Sequence, residues 1–108
     1  DKEQHNVRHV YPQFAEIWVK EHEGQVIGFI ALIENELGAI FLHPKFQGQG
    51  IGREMMDFAV QQKGHLTLDV FEKNKIGRPF YDSYGFKYVK NYIHEETGEV
   101  TFTLSFEK

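Results

Sequence analysis

The residues best suited to chemistry form one short run, Gln47-Gly48-Gln49-Gly50-Ile51-Gly52-Arg53. Glycines so spaced let successive backbone N–H groups turn toward one point. Where such a run opens a helix, its unpaired amides add partial positive charge. The guest that suits this arrangement is a phosphate or pyrophosphate. Two familiar phosphate loops do not fit. A P-loop needs Gly-Lys-Ser/Thr, and here Gly52 is followed by Arg53-Glu54. A dinucleotide fingerprint needs a glycine where Arg53 stands. Taken alone, a glycine-rich strand-to-helix turn with no ligand explains the run equally well.

Other chemistries have weaker claims. The chain has no cysteine, which removes thiol nucleophiles, zinc-thiolate sites and disulfides. No Gly-x-Ser-x-Gly elbow is present, so acyl-enzyme chemistry has no candidate nucleophile. His5 and His9 have the spacing of one helix face, yet no further ligands accompany them, and surface histidines with no metal are expected. His43 precedes Pro44 at a strand end and could face a cleft. Twelve Lys+Arg against sixteen Asp+Glu give a net charge of −4, which argues against nucleic acid as a partner. That charge mildly favours a cationic small molecule or a basic peptide.

These residues need elements to position them. At 108 residues, 41% hydrophobic and 26% charged, the chain has the size and composition of one soluble globular domain. No apolar run reaches the roughly 18 residues of a bilayer helix. Lys2 to Val10 reads as the tail of a surface helix ending near Pro12. Phe14–Glu21, Val26–Ile33 and Leu37–His43 read as a three-strand meander, with a hairpin turn at His22-Glu23-Gly24-Gln25. A helix follows over Arg53–Lys63, with Met55, Met56, Ala59 and Val60 as its apolar stripe and Gly64 as its stop. Leu66–Phe71 is a strand placing Leu66, Leu68 and Val70 on one face and Thr67, Asp69 and Phe71 on the other. A short helix over Pro79–Tyr84 precedes a closing hairpin of Phe86–Ile93 and Val100–Phe106. The strongly alternating last strand could pair across a dimer. The order describes a mixed α/β (α+β) domain with helices on a central sheet.

Placed on these elements, Ile40-Phe41-Leu42-His43-Pro44 followed by Gln47-x-x-Gly50-x-Gly52 resembles the acetyl-CoA loop of the GNAT superfamily of N-acetyltransferases. A second block agrees: Asn74, Gly77, Phe80-Tyr81 and Tyr84-Gly85-Phe86 resemble the family's Asn-x-x-Ala-x-x-Phe-Tyr-x-x-x-Gly-Phe, with Gly77 in place of the usual alanine. The resemblance implies a mixed, mostly antiparallel sheet with helices on both faces. It implies an enzyme that transfers the acetyl group of acetyl-CoA directly to a primary amine of a small molecule or peptide, without a metal. The alternative is a module that binds acetyl-CoA, or another protein, without turnover.

Residue by residue, the resemblance gives the backbone of Ile40, Phe41 and Leu42 to the pantetheine arm, with an amide near Leu42 polarising the thioester carbonyl. It gives the amides of Gly48, Gln49, Gly50, Ile51, Gly52 and Arg53 to the pyrophosphate, the Asn74 side chain to the pantetheine, and Gln47 and Tyr81 to the cofactor site. Tyr81 stands where the family often keeps the acid that protonates the departing thiolate. Asp69 matches the strand position of a glutamate base in some members, with Glu34, Glu36, Glu72 or a water chain as substitutes. The run Glu72-Lys73-Asn74-Lys75 is most simply a solvated loop, although Lys75 or Arg78 could meet the CoA 3′-phosphate. Tyr11, Phe14, Tyr92 and Phe106 are candidates for an acceptor pocket, which sequence does not sort. A cytoplasmic protein, monomeric or homodimeric and with no membrane partner, is expected. GNAT domains run to about 140–150 residues. By that measure a single domain here is expected to lack the family's first strand and most of the preceding helical segment.

Overall fold

In the computed structural model, residues 7–10 and 15–108 are described, the first stretch as backbone only. A seven-stranded sheet in the order β1-β2-β3-β4-β5-β7-β6 forms the frame. Its strands are β1 (Val7–Val10), β2 (Glu16–His22), β3 (Gln25–Ile33), β4 (Glu36–Leu42), β5 (His65–Phe71), β6 (Lys87–Ile93) and β7 (Val100–Glu107). Two helices, α1 (Ile51–Lys63) and α2 (Gly77–Tyr84), flank β5 in the chain, and a 3₁₀ turn spans Pro44–Phe46. All pairings are antiparallel except β4 with β5.

The meander forms because its turns carry the right residues. Glu23 and Gly24 both take positive φ, 51° and 81°, the conformation a two-residue hairpin needs to match strand twist. α1 begins two residues earlier than the periodicity predicts and ends at Gly64, whose φ of 76° lets its N–H reach Val60 O. α2 also starts early, at Gly77, with Pro79 inside its first turn, and stops at Gly85, whose φ is 119°.

One element differs in kind. Val7–Val10 is a strand paired with Ile17–Lys20 of β2, where a helix is expected. Two β-branched valines in four residues suit an extended edge, and an adjacent strand supplies the ladder that overrides the polar flank. His9 therefore lies on a strand, so helical spacing to His5 does not apply; His5, Tyr11, Pro12 and Phe14 lie outside the described residues. The last strand is also not an edge. β7 lies between β5 and β6, which leaves β6 at the border of the sheet.

The core fills one face. Met55, Met56, Ala59 and Val60 of α1 meet Ile30, Leu32, Leu37, Leu66, Leu68 and Val70, joined by Tyr84 and Phe86. At about 25 cal/mol per Å² of apolar surface, these side chains supply the main drive for folding. α2 leans on the same face beside α1: the Tyr84 hydroxyl donates to Asp57 at 2.6 Å, and the Arg53 guanidinium lies 5.0 Å over the Tyr84 ring. The mixed, mostly antiparallel sheet with helices is as expected. Both described helices nevertheless cover one face, and among the described residues none covers the other.

Candidate active site

The site starts from a defect in β4. Leu32 pairs with Leu37 and Ala31 with Ala39, so Gly38 has no partner and forms a bulge. A bulge reverses which backbone groups face which neighbour. Before it, Asn35 O accepts from Thr67 N on β5. After it, His43 N donates to Ile27 O on β3, so by alternation Phe41 and Ala39 also face β3. Ile40 and Leu42 then point their backbone groups toward β5. They find no strand there, because β4 and β5 pair only at Glu36 and Thr67 and diverge beyond. The result is a wedge-shaped gap bordered by unpaired backbone groups. Leu42 O is taken by the Gln47 side chain at 2.9 Å, leaving the Ile40 N–H and C=O and the Leu42 N–H. Of the three residues assigned to a pantetheine arm, Phe41 is therefore set apart: its backbone faces β3 and its ring stacks on Phe29.

The loop at the mouth of the gap has left-handed glycines and a helix N-terminus without a side-chain cap, a geometry that suits an anion. Gly48 and Gly50 sit at φ 80° and 85°, and a Cβ on either would meet nothing within 4 Å. The left-handed backbone, rather than crowding, requires glycine there. Gly50 caps α1 without a side chain, so the amides of the first turn are left for a ligand. A Cβ added at Gly52 would meet the Phe80 ring at an ordinary 3.5 Å. Gln47 clamps the loop to β4, and Arg53 is held on Tyr84. The residues present fit a pantetheine strand and a pyrophosphate.

Asn74 does local work. Its Oδ1 accepts from Gly77 N at 2.7 Å and Ile76 N at 3.2 Å, capping α2. A Cβ on Gly77 would stand 2.6 Å from Asn74 Nδ2, which explains glycine in place of alanine. Tyr81 is half-buried between Phe80 and Phe86, and burial pushes its phenol above the usual range. Its hydroxyl makes no hydrogen bond among the described residues and stays protonated throughout neutral pH.

Asp69 lies on the face away from the helices. Its two oxygens accept from Tyr92 Oη at 2.7 Å and Thr103 Oγ1 at 2.8 Å. Asp69, Phe71, Tyr92, His94 and Thr101 line a shallow pocket of about 200 Å³. Of the aromatic candidates for an acceptor pocket, Tyr92 is here, whereas Phe106 is in the core against Tyr84 and Phe86. Thr103 was missed by sequence reasoning; the Thr101-Thr103 alternation on β7 was the available signal. Glu36 is at the start of β4, Glu34 is in its preceding turn, and Glu72 follows β5. His43 is exposed, its Nδ1 accepting from Lys45 N. Lys75 and Arg78 rim a separate cleft of about 560 Å³ floored by Val70, Phe102 and Leu104. Arg78 is committed there to Glu72 O and the Phe102 ring.

A diverging parallel strand pair, a glycine-opened helix and the sheet order define an acetyltransferase of the GNAT type. The chain belongs to that family: its model, described as acetyltransferase (GNAT) domain, matches residues 13–88. Among relatives, the Escherichia coli peptidyl-lysine N-acetyltransferase YiaC is 36% identical over 93% of this chain and 69% of its own length. The peptidyl-lysine N-acetyltransferase YjaB of the same organism is 35% identical over 75% of this chain, which spans 55% of that protein. The solution structure of apo YjaB superposes with a TM-score of 0.77 at 28% identity, over 85% of this chain and 65% of that one. A GNAT acetyltransferase from Elizabethkingia anophelis with acetyl-CoA bound gives a TM-score of 0.71 at 20% identity, over 87% of this chain and 76% of that one, a likeness of fold.

Among the described residues, no helix is long and apolar enough to cross a membrane, and no group of three His, Cys, Asp or Glu is placed to hold a metal.

Proposed function

We propose that the protein transfers the acetyl group of acetyl-CoA directly to a primary amine, with a lysine side chain of a peptide as the foremost acceptor. The observation that carries this is the β4–β5 gap, whose unpaired Ile40 and Leu42 backbone groups lead straight to the glycine loop opening α1. In this reading Ile40 binds the pantetheine arm as an added strand, and the amides from Gly48 to Arg53 hold the pyrophosphate. The Leu42 N–H polarises the thioester carbonyl. Gln47 acts through Leu42 O as a positioning residue, and Asn74 offers its remaining Nδ2 to the arm. Tyr81 protonates the departing thiolate; burial raises its phenol, so it holds its proton for donation at neutral pH. Asp69 faces the acceptor side. The lysine preference draws on YiaC and YjaB, both named as peptidyl-lysine N-acetyltransferases, and on the net charge of −4.

The test has two parts. Acetyl-CoA raises the melting temperature through ligand linkage. CoA thiol is then released when a panel of amines, including a lysine peptide, is supplied. Stabilisation without release from any amine selects the non-catalytic cofactor-binding module, and absence of both overturns the cofactor site.

A further inference from the structure

The face that the described helices leave uncovered holds a constellation that the cofactor loop does not explain. Tyr92 belongs to the border strand β6, two strands from β5. Its side chain crosses over β7, where the facing residues are Thr101 and Thr103, and delivers its hydroxyl to Asp69. Two small threonines in that row leave the path open, and Thr103 holds the second carboxylate oxygen. The hydroxyl thus lies over β5, the strand that borders the gap. The hydrogen bond that Tyr92 donates to Asp69 raises its phenol above the usual range, and the negative charge of Glu36 on β4 adds to that.

Three properties follow. Tyr92 Oη spends its only proton on Asp69, so its lone pairs are left to accept one from an incoming N–H. Phe71 and His94, edge to face at 5.6 Å, and the Tyr92 ring give the pocket aromatic walls with an acid at its base. Aromatic faces beside a carboxylate suit an alkylammonium or alkylamine tip. At about 200 Å³ the pocket takes an unbranched amine end and not a drug-sized acceptor.

We infer that this pocket receives the tip of an unbranched alkylamine and that Tyr92 is a catalytic residue, relaying the amine's proton to Asp69. The inference rests on the acetyl-transfer reading above. The amine binds as the free base. As its nitrogen lone pair forms the C–N bond, the nitrogen becomes positive and acidic, and its proton passes to Tyr92 Oη. Tyr92's own proton passes at the same time to Asp69 Oδ2. The C–S bond breaks and the sulfur takes the Tyr81 proton. Asp69 returns its proton through solvent to Tyr81, so the sum is amine plus thioester to amide plus thiol. The charged and titratable groups around the relay are Asp69 on β5, Glu36 on β4, and Lys90 and His94 on the Tyr92 side.

The experiment has two readouts. In the first, n-butylammonium chloride is titrated into the acetyl-CoA-bound protein and the aromatic ring resonances are followed by NMR. Shifts at Tyr92, Phe71 and His94, with none at Tyr88 on the opposite face of β6, support the pocket; unmoved Tyr92 and His94 overturn it. In the second, kcat and KM are measured on the best amine of the panel for Tyr92→Phe, Asp69→Asn and the double variant. A relay predicts that Tyr92→Phe lowers kcat about ten- to a hundredfold with KM for acetyl-CoA unchanged. It also predicts a double variant no worse than the poorer single one, because the two residues act as one unit. Full kcat in Tyr92→Phe, or losses that multiply in the double variant, overturns the relay while acetyl transfer stands. A wild type that acetylates no amine removes the transfer reading, and the relay with it, while the titration still reads the pocket.

Discussion

The two sides of the β4–β5 gap are built by different means. The side proposed for the cofactor is made mainly of backbone: the groups of Ile40 and Leu42 left without a strand partner, left-handed glycines at 48 and 50, and the first turn of α1. These residues lie within fifteen positions of one another, and their geometry follows from local rules of φ, capping and bulging. The side proposed for the acceptor is made of side chains that meet only when the sheet is complete. Asp69, Tyr92 and Thr103 come from three strands, 23 and 34 residues apart in the two hydrogen-bonded pairs. A backbone site tolerates varied side chains and keeps its ligand. A side-chain site changes with single substitutions. The comparison teaches why one fold keeps one cofactor while its acceptors vary.

The sharpest way to test that division is to strike the chemistry and leave both sides standing. Tyr81→Phe removes one hydroxyl that bonds nothing among the described residues, so folding and acetyl-CoA affinity stay as they are. Loss of a general acid lowers kcat by about 10²-fold or more. The pH profile adds a sign. Because burial raises the Tyr81 phenol, any alkaline fall in rate from its ionisation is expected at higher pH than for an ordinary phenol. A Tyr81→Phe variant with wild-type kcat from pH 7 to 10 would reassign the proton to water.

Gly50→Val strikes the backbone side alone. At φ 85° a β-branched residue is forced into the left-handed region, costing about 1–2 kcal/mol, and a loop that relaxes to avoid this turns its amides away. Acetyl-CoA affinity by calorimetry falls about ten- to a hundredfold, while n-butylammonium shifts at Tyr92 persist. If both fail together, the two sides are one cooperative unit and the division is wrong.

The same division explains what was legible in the sequence. The glycine turn, the body and end of α1, the facing of β5 and the end of α2 rest on residues adjacent in sequence, and these agree with the sequence reading; only the first two residues of α1 precede it. Gly38 was not singled out, because a bulge is a property of two strands in register. Val7–Val10 was read as helix because four residues carry too little periodicity to outweigh polar neighbours, and only the presence of β2 makes them a strand. The exchange of β6 and β7 in the sheet order left the alternating last strand inside, where its most buried residue is Thr101 and not a hydrophobic one. Asp69 is a candidate from its likeness to a strand position of the family, but its bonds to Tyr92 and Thr103 depend on that exchange.

Tyr84 tests how far the helices hold the cofactor side in shape. Its hydroxyl donates to Asp57, and burial followed by that bond raises its phenol above the unfolded value near 10. A raised phenol means the folded state holds its proton more tightly. Its stabilisation is therefore complete below pH 10 and is lost as pH climbs through the folded value. Tyr84→Phe costs about 1–2 kcal/mol by denaturant melts at pH 7, and the gap between the two proteins closes at strongly alkaline pH. A gap that stays constant would place the loss in packing rather than in the proton.

Gly77→Ala gives the smallest effect and the finest cut, because it sets two roles of Asn74 against each other. Alanine favours the helix by up to about 1 kcal/mol over glycine. Its methyl, however, would stand 2.6 Å from Asn74 Nδ2, a mobile side-chain end that can swing aside. If Asn74 only caps α2, the swing weakens the cap, the helix gain offsets it, and stability moves by less than about 1 kcal/mol with acetyl-CoA affinity untouched. If Nδ2 also holds the pantetheine arm, the same variant loses about two- to fivefold in affinity while its melting temperature stays level. Restoring the affinity with glycine, in an Asn74→Ala background, would then be impossible. That epistasis, read by calorimetry on four proteins, decides whether the Asn74 side chain belongs to the ligand or to the fold alone.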